Sequence, residues 1–316
     1  MYHGIINVYK EAGYTSHDVV AKLRGICKQK KIGHTGTLDP DAIGVLPVCL
    51  GNGTRLCDML TDRSKEYKAV LRLGITTDTQ DFSGKILEEK PVLATTAQVK
   101  DAIMSFQGDS LQVPPMYSAL KVNGKKLYEL ARAGKEVERV ARPITVSSIA
   151  ILEEAHPDYT FLINCSKGTY IRTICHDIGQ KLGCGGVMVS LQRTRVGEFA
   201  LTQAHKLDEI QKMADAGLLD SLVTPVDKMF ENLTAFTVRE SGFKALQNGN
   251  MLQPADCVFE TRVSSNQEQV SAIIGEPTDG ENFRVYNHNQ IFYGIYEYKR
   301  ERGVFCPVKL FLPDIK

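Results

Sequence analysis

The sequence lacks the features of a membrane-spanning, secreted or zinc-binding protein. No stretch reaches the roughly 18 apolar residues that a membrane span needs. The first residues, Met1 to Ile6, do not form a basic segment followed by a long apolar run. The eight cysteines include no Cys-x-x-Cys pair, and their irregular spacing favours neither a zinc site nor a disulfide framework. We therefore expect a cytoplasmic protein with reduced thiols, no membrane association and no bound metal.

An overall excess of charge of one sign is also missing. The chain has 38 Lys and Arg against 37 Asp and Glu, a formal net charge of +1, so any nucleic-acid surface must be local. Residues 121–142 hold seven basic residues against three acidic ones. Residues 22–31 hold no acid and five bases, namely Lys22, Arg24, Lys28, Lys30 and Lys31. Such patches suffice for phosphate contacts, although a solvated helix face is the commoner explanation of a single charge run.

The chain is long enough for one large domain and a small one, and its periodicities predict a mixed α+β body. Helices are predicted after Thr15, over 96–106, from Thr169 to Gly183 and near 207–222, and strands over 67–73, 144–152 and 159–165. The polar segment from Pro114 to Pro143 is predicted to be an excursion from this body. From about Leu233, short alternating runs between Gly and Asn turns predict a small β-rich domain, which divides the chain into 1–232 and 233–316.

The loop around Asp39 combines glycines, hydroxyls, a histidine and a carboxylate, from Gly33 to Asp39. An Asp before a proline commonly initiates a turn, so a structural role is one interpretation. No Gly-Lys-Ser/Thr ending follows, which disfavours a phosphate-binding loop. Gly33-His34-Thr35-Gly36 also fits the Gly-x-x-Gly loop of a KH module, but Pro40 disfavours the helix that such a module needs next.

Arg172 is predicted to lie in the first turn of its helix, where the helix dipole disfavours a cation. A carboxylate partner such as Asp39, held through a bidentate pair, would justify the arginine; a solvent-exposed arginine is the alternative. The side chains of Tyr67, Tyr170 and Leu191 fit core positions.

Several long stretches, in matching order, resemble the TruB family of tRNA pseudouridine synthases. They comprise Gly33-His34-Thr35-Gly36-Thr37-Leu38-Asp39-Pro40 with Gly44-Val45-Leu46-Pro47, then Lys65-Glu66-Tyr67-Lys68 with Thr77-Asp78-Thr79-Gln80-Asp81, then Pro114-Pro115-Met116-Tyr117-Ser118-Ala119-Leu120-Lys121, and Cys165-Ser166-Lys167-Gly168-Thr169-Tyr170-Ile171-Arg172. The resemblance implies a pseudouridine-synthase domain with a mixed, largely antiparallel sheet, an RNA-gripping insertion over about 114–143 and a PUA-like terminal domain. Ile43 departs from the family, which usually has a small polar residue there.

The resemblance also implies the chemistry: uridine 55 in the T-loop of tRNA is isomerised to pseudouridine after base flipping, without cofactor or guide RNA. By resemblance, Asp39 is the essential carboxylate, Arg172 is its salt-bridge partner, and Tyr67 stacks on the target base and is a candidate proton acceptor. His34 fills the space of the extruded nucleotide, and Tyr170 and Leu191 line the uracil pocket.

The sequence leaves three other functions open. A non-catalytic RNA binder or folding helper needs only the basic patches and the terminal domain, and a folding role can accompany catalysis. A guide-dependent relative would work inside an RNA–protein particle; the basic insertion after Pro115 instead favours a stand-alone enzyme, because by resemblance the guided relatives lack this element. We also expect a monomer with no obligate protein partner. A metal-dependent hydrolase would use Asp39 and Asp41, but no His or Glu stands at ligand spacing beside them.

Overall fold

The computed structural model describes residues 1–122, 124–259 and 277–313. The described strands are β1 (Gly4–Lys10), β2 (Ile32–His34), β3 (Ile43–Leu50), β4 (Lys65–Leu73), β5 (Ile75–Thr77), β6 (Ile86–Glu89), β7 (Gly108–Gln112), β8 (Lys121–Val122), β9 (Lys125–Lys126), β10 (Arg142–Ala155), β11 (Asp158–Cys165), β12 (Gly186–Val196), β13 (Phe199–Ala200), β14 (Thr234–Val238), β15 (Cys257–Phe259), β16 (Asn282–Asn287), β17 (Phe292–Lys299) and β18 (Val304–Leu310).

The described α-helices are α1 (Ser16–Ile26), α2 (Cys57–Thr61), α3 (Thr96–Met104), α4 (Leu127–Arg132), α5 (Ile171–Lys181), α6 (Leu207–Asp215) and α7 (Phe243–Gln247). Short 3-10 helices span Gly51–Leu56, Leu201–Gln203, Leu219–Leu222, Val226–Phe230, Glu240–Gly242, Pro254–Asp256 and Arg300–Arg302. Within the described ranges, no helix combines the length and the apolar character that a membrane crossing requires.

A nine-stranded sheet forms the main body. Its strand order is β1-β3-β12-β4-β11-β10-β7, with β2 added to β3 and β13 to β12. Neighbours are antiparallel except β12 and β3, which run parallel. One face carries the core that holds α3 and α5, and a second core lies under α1 and α6. The predicted α+β fold with a mixed, largely antiparallel sheet is confirmed.

Helix α1 begins where its sequence predicts. The Thr15 hydroxyl accepts a hydrogen bond from the Asp18 amide at 3.1 Å, and the Asp18 carboxylate accepts one from the Thr15 amide at 2.8 Å. This reciprocal cap satisfies amides that the first helical turn leaves free. Val19 and Leu23 are buried, whereas the five basic residues of 22–31 are exposed. Lys22 and Arg24 of the helix, and the three lysines that follow it, therefore face solvent.

A second sheet, in the order β15-β14-β16-β17-β18, accounts for the β-rich terminal region. It begins at Thr234 and contacts the main body through a shared core that includes Ile5, Val45, Ile295 and Phe311. Residues 260–276 and 314–316 of the predicted terminal domain, and residue 123 of the insertion, lie outside the described residues. The PUA-like character and the two domain boundaries stay predictions.

Candidate active site

The loop that carries Asp39 joins the antiparallel strands β2 and β3 and is tied down at its start and its middle. The amide and the hydroxyl of Thr35 both donate to the Pro47 carbonyl, each at 3.2 Å. The Leu38 amide donates to the hydroxyl of Ser16, the first residue of α1, at 2.9 Å. Because buried amides and carbonyls need partners, these bonds fix the path of the loop across the sheet.

Two buried cations hold the loop through its backbone carbonyls. The Lys10 ammonium donates to the carbonyls of Pro40 at 2.9 Å and Ala42 at 2.6 Å. The Arg193 guanidinium donates to the carbonyls of Gly36 at 3.3 Å and Thr37 at 3.4 Å. Lys10 and Arg193 are 0% and 1% exposed, so these contacts lie away from solvent. The loop is therefore anchored on both sides of Asp39.

The carboxylate of Asp39 meets the guanidinium of Arg172, although 133 residues separate them along the chain. Arg172 Nη2 lies 3.3 Å from Asp39 Oδ1 and 3.2 Å from Oδ2, and it donates to the Tyr117 carbonyl at 2.7 Å. Arg172 Nη1 faces Asp81 Oδ2 at 3.4 Å. The bidentate pair considered from the sequence would use both terminal nitrogens of Arg172 on Asp39. That geometry is wrong, because Nη2 serves Asp39 and Nη1 is turned to Asp81.

Opposing effects act on the ionisation of Asp39. Burial raises the pKa of this carboxyl, and the nearby charges of Asp81 and Asp41 act in the same direction. Arg172 and Lys10 favour the ionised form and lower the pKa, but less than the first effect raises it. The side chain is still 41% exposed, so solvent reaches it. The site thus holds a carboxylate that is accessible from outside and stabilised from below by cations.

An apolar wall stands beside this carboxylate. Tyr67 of β4 is buried in the same core cluster as Leu38 and Ala42, the loop residues that flank Asp39, and Leu191 of β12 packs against that cluster. Burial raises the pKa of the Tyr67 phenol, and the charge of Arg193 partly opposes this. The phenol is therefore neutral near pH 7. The wall is therefore aromatic and aliphatic.

Tyr170 and His34 lie at the edges of the site. Tyr170 precedes α5 and has the Arg172 guanidinium 5.9 Å from its ring centre. His34 ends β2, and its Nδ1 accepts a hydrogen bond from the Gly36 amide at 3.2 Å. The ring of His17 meets that of His34 edge-on at 5.3 Å. Burial first, and then the charges of His17 and Arg193, lower the pKa of His34, which favours the neutral ring.

Sequence reasoning did not single out Lys10, Arg193 or the contact between Asp81 and Arg172. A turn rich in acids marked Asp81, but nothing local indicated its partner. Ile43, the departure from the family pattern, is half-buried and pairs with Gln192 where β3 meets β12. In the described part of the chain, no cluster of three His, Cys, Asp or Glu side chains could hold a metal.

Comparison with known proteins supplies the class. Residues 24–171 match the TruB family pseudouridylate synthase N-terminal domain, and residues 172–231 match the tRNA pseudouridylate synthase B C-terminal domain. A tRNA pseudouridine synthase B of Lachnoclostridium phytofermentans is 48% identical over 98% of this chain and 100% of its own length. The enzyme of the same name from Bacillus subtilis is 38% identical over 99% and 98%.

Solved structures show the same fold. A Cbf5-Nop10-Gar1 complex matches with a TM-score of 0.68 and 25% identity, over 98% of this chain and 85% of the other. An H/ACA RNP bound to a substrate RNA containing 2′-deoxyuridine matches with a TM-score of 0.67 and 23% identity, over 98% and 86%. The family models and the curated relatives define an isomerase of the pseudouridylate synthase class. Within that class, the chain belongs to the TruB family.

Proposed function

We propose that the protein isomerises uridine 55 in the T-loop of tRNA to pseudouridine, as a stand-alone enzyme without a guide RNA or cofactor. The observation that carries the proposal is the solvent-accessible Asp39 carboxylate, 3.2 Å from Arg172 and beside the apolar wall of Tyr67 and Leu191. The tRNA substrate is supported by the names of relatives that match nearly the whole chain.

The reaction moves the glycosidic bond of uridine from N1 to C5 and involves no redox change. Asp39 is the essential carboxylate, and Arg172 keeps it ionised and oriented. Attack on C1′, addition to the ring and removal of a sugar proton all need such a carboxylate, and all three routes remain compatible with the geometry. Because the Tyr67 phenol rests in its neutral form, stacking on the base is better supported for it than proton abstraction.

The target base must leave the folded T-loop to reach Asp39, at a cost of a few kcal/mol. In this proposal His34, whose ring meets that of His17 edge-on, occupies the space that an extruded nucleotide leaves. Tyr170 and Leu191 line the pocket that receives the base. Stacking and phosphate contacts then offset the cost of flipping.

Phosphate contacts can come from α1, whose first turn touches the catalytic loop through Ser16. The five exposed cations of 22–31 follow along this helix and its exit. The insertion over about 114–143 adds a second basic surface, and the Tyr117 carbonyl within it contacts Arg172. A catalytic domain over 1–232 with this insertion and a PUA-like domain over 233–316 would grip the tRNA arm by shape.

The basic insertion favours a stand-alone enzyme, since guided relatives lack that element by resemblance. A monomer in the cytoplasm completes the proposal. The likeness to H/ACA particles concerns the fold. A guide requirement would appear as activity only when a complementary RNA is added. An RNA-folding role that accompanies catalysis would persist in an inactive variant.

The test is pseudouridine mapping on an unmodified tRNA transcript with purified protein and no added cofactor. Wild type should convert the T-loop uridine, and Asp39→Asn should convert none while it still binds tRNA. Asp41→Asn is the matched control, because Asp41 is exposed and two residues away, and it should retain most activity. Tight binding without conversion by the wild type would favour a non-catalytic binder.

A further inference from the structure

Arg193 is a buried cation for which the reaction chemistry gives no direct role. It is 1% exposed, and among the described residues no carboxylate lies within 4.0 Å of its guanidinium. Its guanidinium donates to the backbone carbonyls of Val45 at 2.7 Å, Gly36 at 3.3 Å and Thr37 at 3.4 Å, and it also faces the hydroxyl of Tyr67. A buried guanidinium stays protonated and loses several kcal/mol of hydration. A buried strand position that served only to fill the core would hold an apolar side chain and avoid this cost.

The position of Arg193 in the sheet is as specific as its hydrogen bonds. It is paired with Tyr67 of β4 on one side and with Gly44 of β3 on the other. The backbones at Gly44 are so close that a Cβ there would lie 2.2 Å from the Arg193 carbonyl oxygen. A register shift follows directly, between Arg193 and Arg195. Such irregularities re-aim side chains beside active sites.

We propose that Arg193 is a positioning residue that fixes the loop of Asp39 relative to the Tyr67 ring. The inference rests on the proposed function, because it assumes that both side chains face one uridine. Its backbone pairs with that of Tyr67, and its side chain faces the Tyr67 hydroxyl and holds the loop two and three residues before Asp39. One residue thereby couples the two groups that must meet the base together.

The opposite side of the loop stays anchored when Arg193 is changed. Lys10 still holds the carbonyls of Pro40 and Ala42, so the loop should tilt around that anchor. Arg193 is not among the principal charges that act on the Asp39 carboxyl. Its loss should therefore displace Asp39 without greatly changing its ionisation. Misplacement of a reacting group by about 1 Å can lower a rate by about 100-fold.

The experiment measures single-turnover conversion and tRNA affinity for Arg193→Lys and Arg193→Ala. Lysine keeps the charge but cannot reach three carbonyls, so we expect a rate about ten-fold lower; alanine should lose on the order of 100-fold. The dissociation constant for tRNA should change by less than about three-fold, since no phosphate contact is removed. The matched control is Arg284→Lys, because Arg284 donates to the Leu233 carbonyl at 3.1 Å in the terminal sheet.

Chemical rescue separates positioning from general stability. About 20 mM guanidinium, far below denaturing concentrations, should restore part of the rate of Arg193→Ala and none of that of Asp39→Asn. Melting temperatures of each variant report folding; if the alanine variant does not fold, Arg193→Lys alone decides. Full activity in folded Arg193→Lys, or a loss that follows the folded fraction without rescue, overturns the inference. A wild type that forms no pseudouridine refutes the proposed function and the inference with it.

Discussion

Replacing Arg172 by methionine should shift the pH dependence of catalysis. The guanidinium lies 3.2 Å from Asp39 and is the strongest influence that lowers the pKa of this carboxyl. At an effective dielectric constant of about 20, the pair attraction at this distance is about 5 kcal/mol. Asp39 is 41% exposed, and screening reduces the value to about 2 kcal/mol. That free energy corresponds to a factor of about 30 in the ionisation equilibrium of Asp39, and in the rate at a pH where the carboxyl is mostly protonated.

The variant also leaves Asp39 beside Asp81 without the cation between them, so the pKa of Asp39 should rise further. A raised pKa means that ionisation needs a higher pH, so the acid limb of the rate profile should move upward. Single-turnover rates from about pH 5 to about pH 8 test this, with tRNA binding measured in parallel. The control is Arg72→Met, which removes an ion pair with Asp158 from β4 and β11, away from the loop. An unmoved acid limb with a rate near wild type would refute the reasoning.

Three further predictions concern stability. Asp39→Asn should melt at or above the wild-type temperature at neutral pH, because burial raises the pKa of Asp39 and its ionisation therefore costs stability at a pH above that pKa. The difference in melting temperature should vanish in acid, where the carboxyl is protonated. A lower melting temperature of the variant at neutral pH contradicts this. Gly44→Ala should lower the free energy of unfolding in urea by on the order of 3 kcal/mol, since φ is +107° and a Cβ would clash with backbone. Gly25→Ala is the contrasting variant. It should raise the free energy of unfolding by about 0.5 to 1 kcal/mol, because Gly25 lies in α1 with open space around it. Burial lowers the pKa of Lys10 to about 8, so wild type should gain stability as the pH rises above that value, and Lys10→Met should lack this gain in thermal scans.

Local elements follow from local sequence where the relevant chemistry is local. The cap of Thr15 with Asp18 is readable because both partners are side chains three residues apart. Gly183, at φ +74°, follows the end of α5 as predicted. The helix expected up to residue 222 instead ends at Asp215, because Gly217 adopts φ +72° and only a short 3-10 turn follows.

Some residues of the site could be predicted from the sequence and others could not. The sequence marked Asp39 by its loop and Arg172 by its place at a helix start, but their catalytic roles entered by resemblance, and no periodicity brings together residues 133 positions apart. Lys10 and Arg193 escaped it because a lysine or arginine in a strand is ordinarily exposed. Most of their hydrogen bonds go to backbone carbonyls, which every residue has, so no side-chain pattern in the sequence marks them. Buried cations that bind backbone become visible only once the chain is folded.

Two cations near the loop act on different properties of Asp39, one on its ionisation and the other on its position. Arg172 acts mainly on ionisation, through direct contact with the carboxylate, whereas Arg193 acts on the loop backbone. The two kinds of variant should therefore differ: Arg172→Met should lower the rate and raise the acid limb, while Arg193→Lys should lower the rate at every pH and leave the limb in place. Rate profiles of both, measured beside wild type on the same tRNA, decide this. If the acid limb moved equally in both variants, the distinction would be wrong. The position and the ionisation of Asp39 would then depend on the same set of contacts, which includes Arg193.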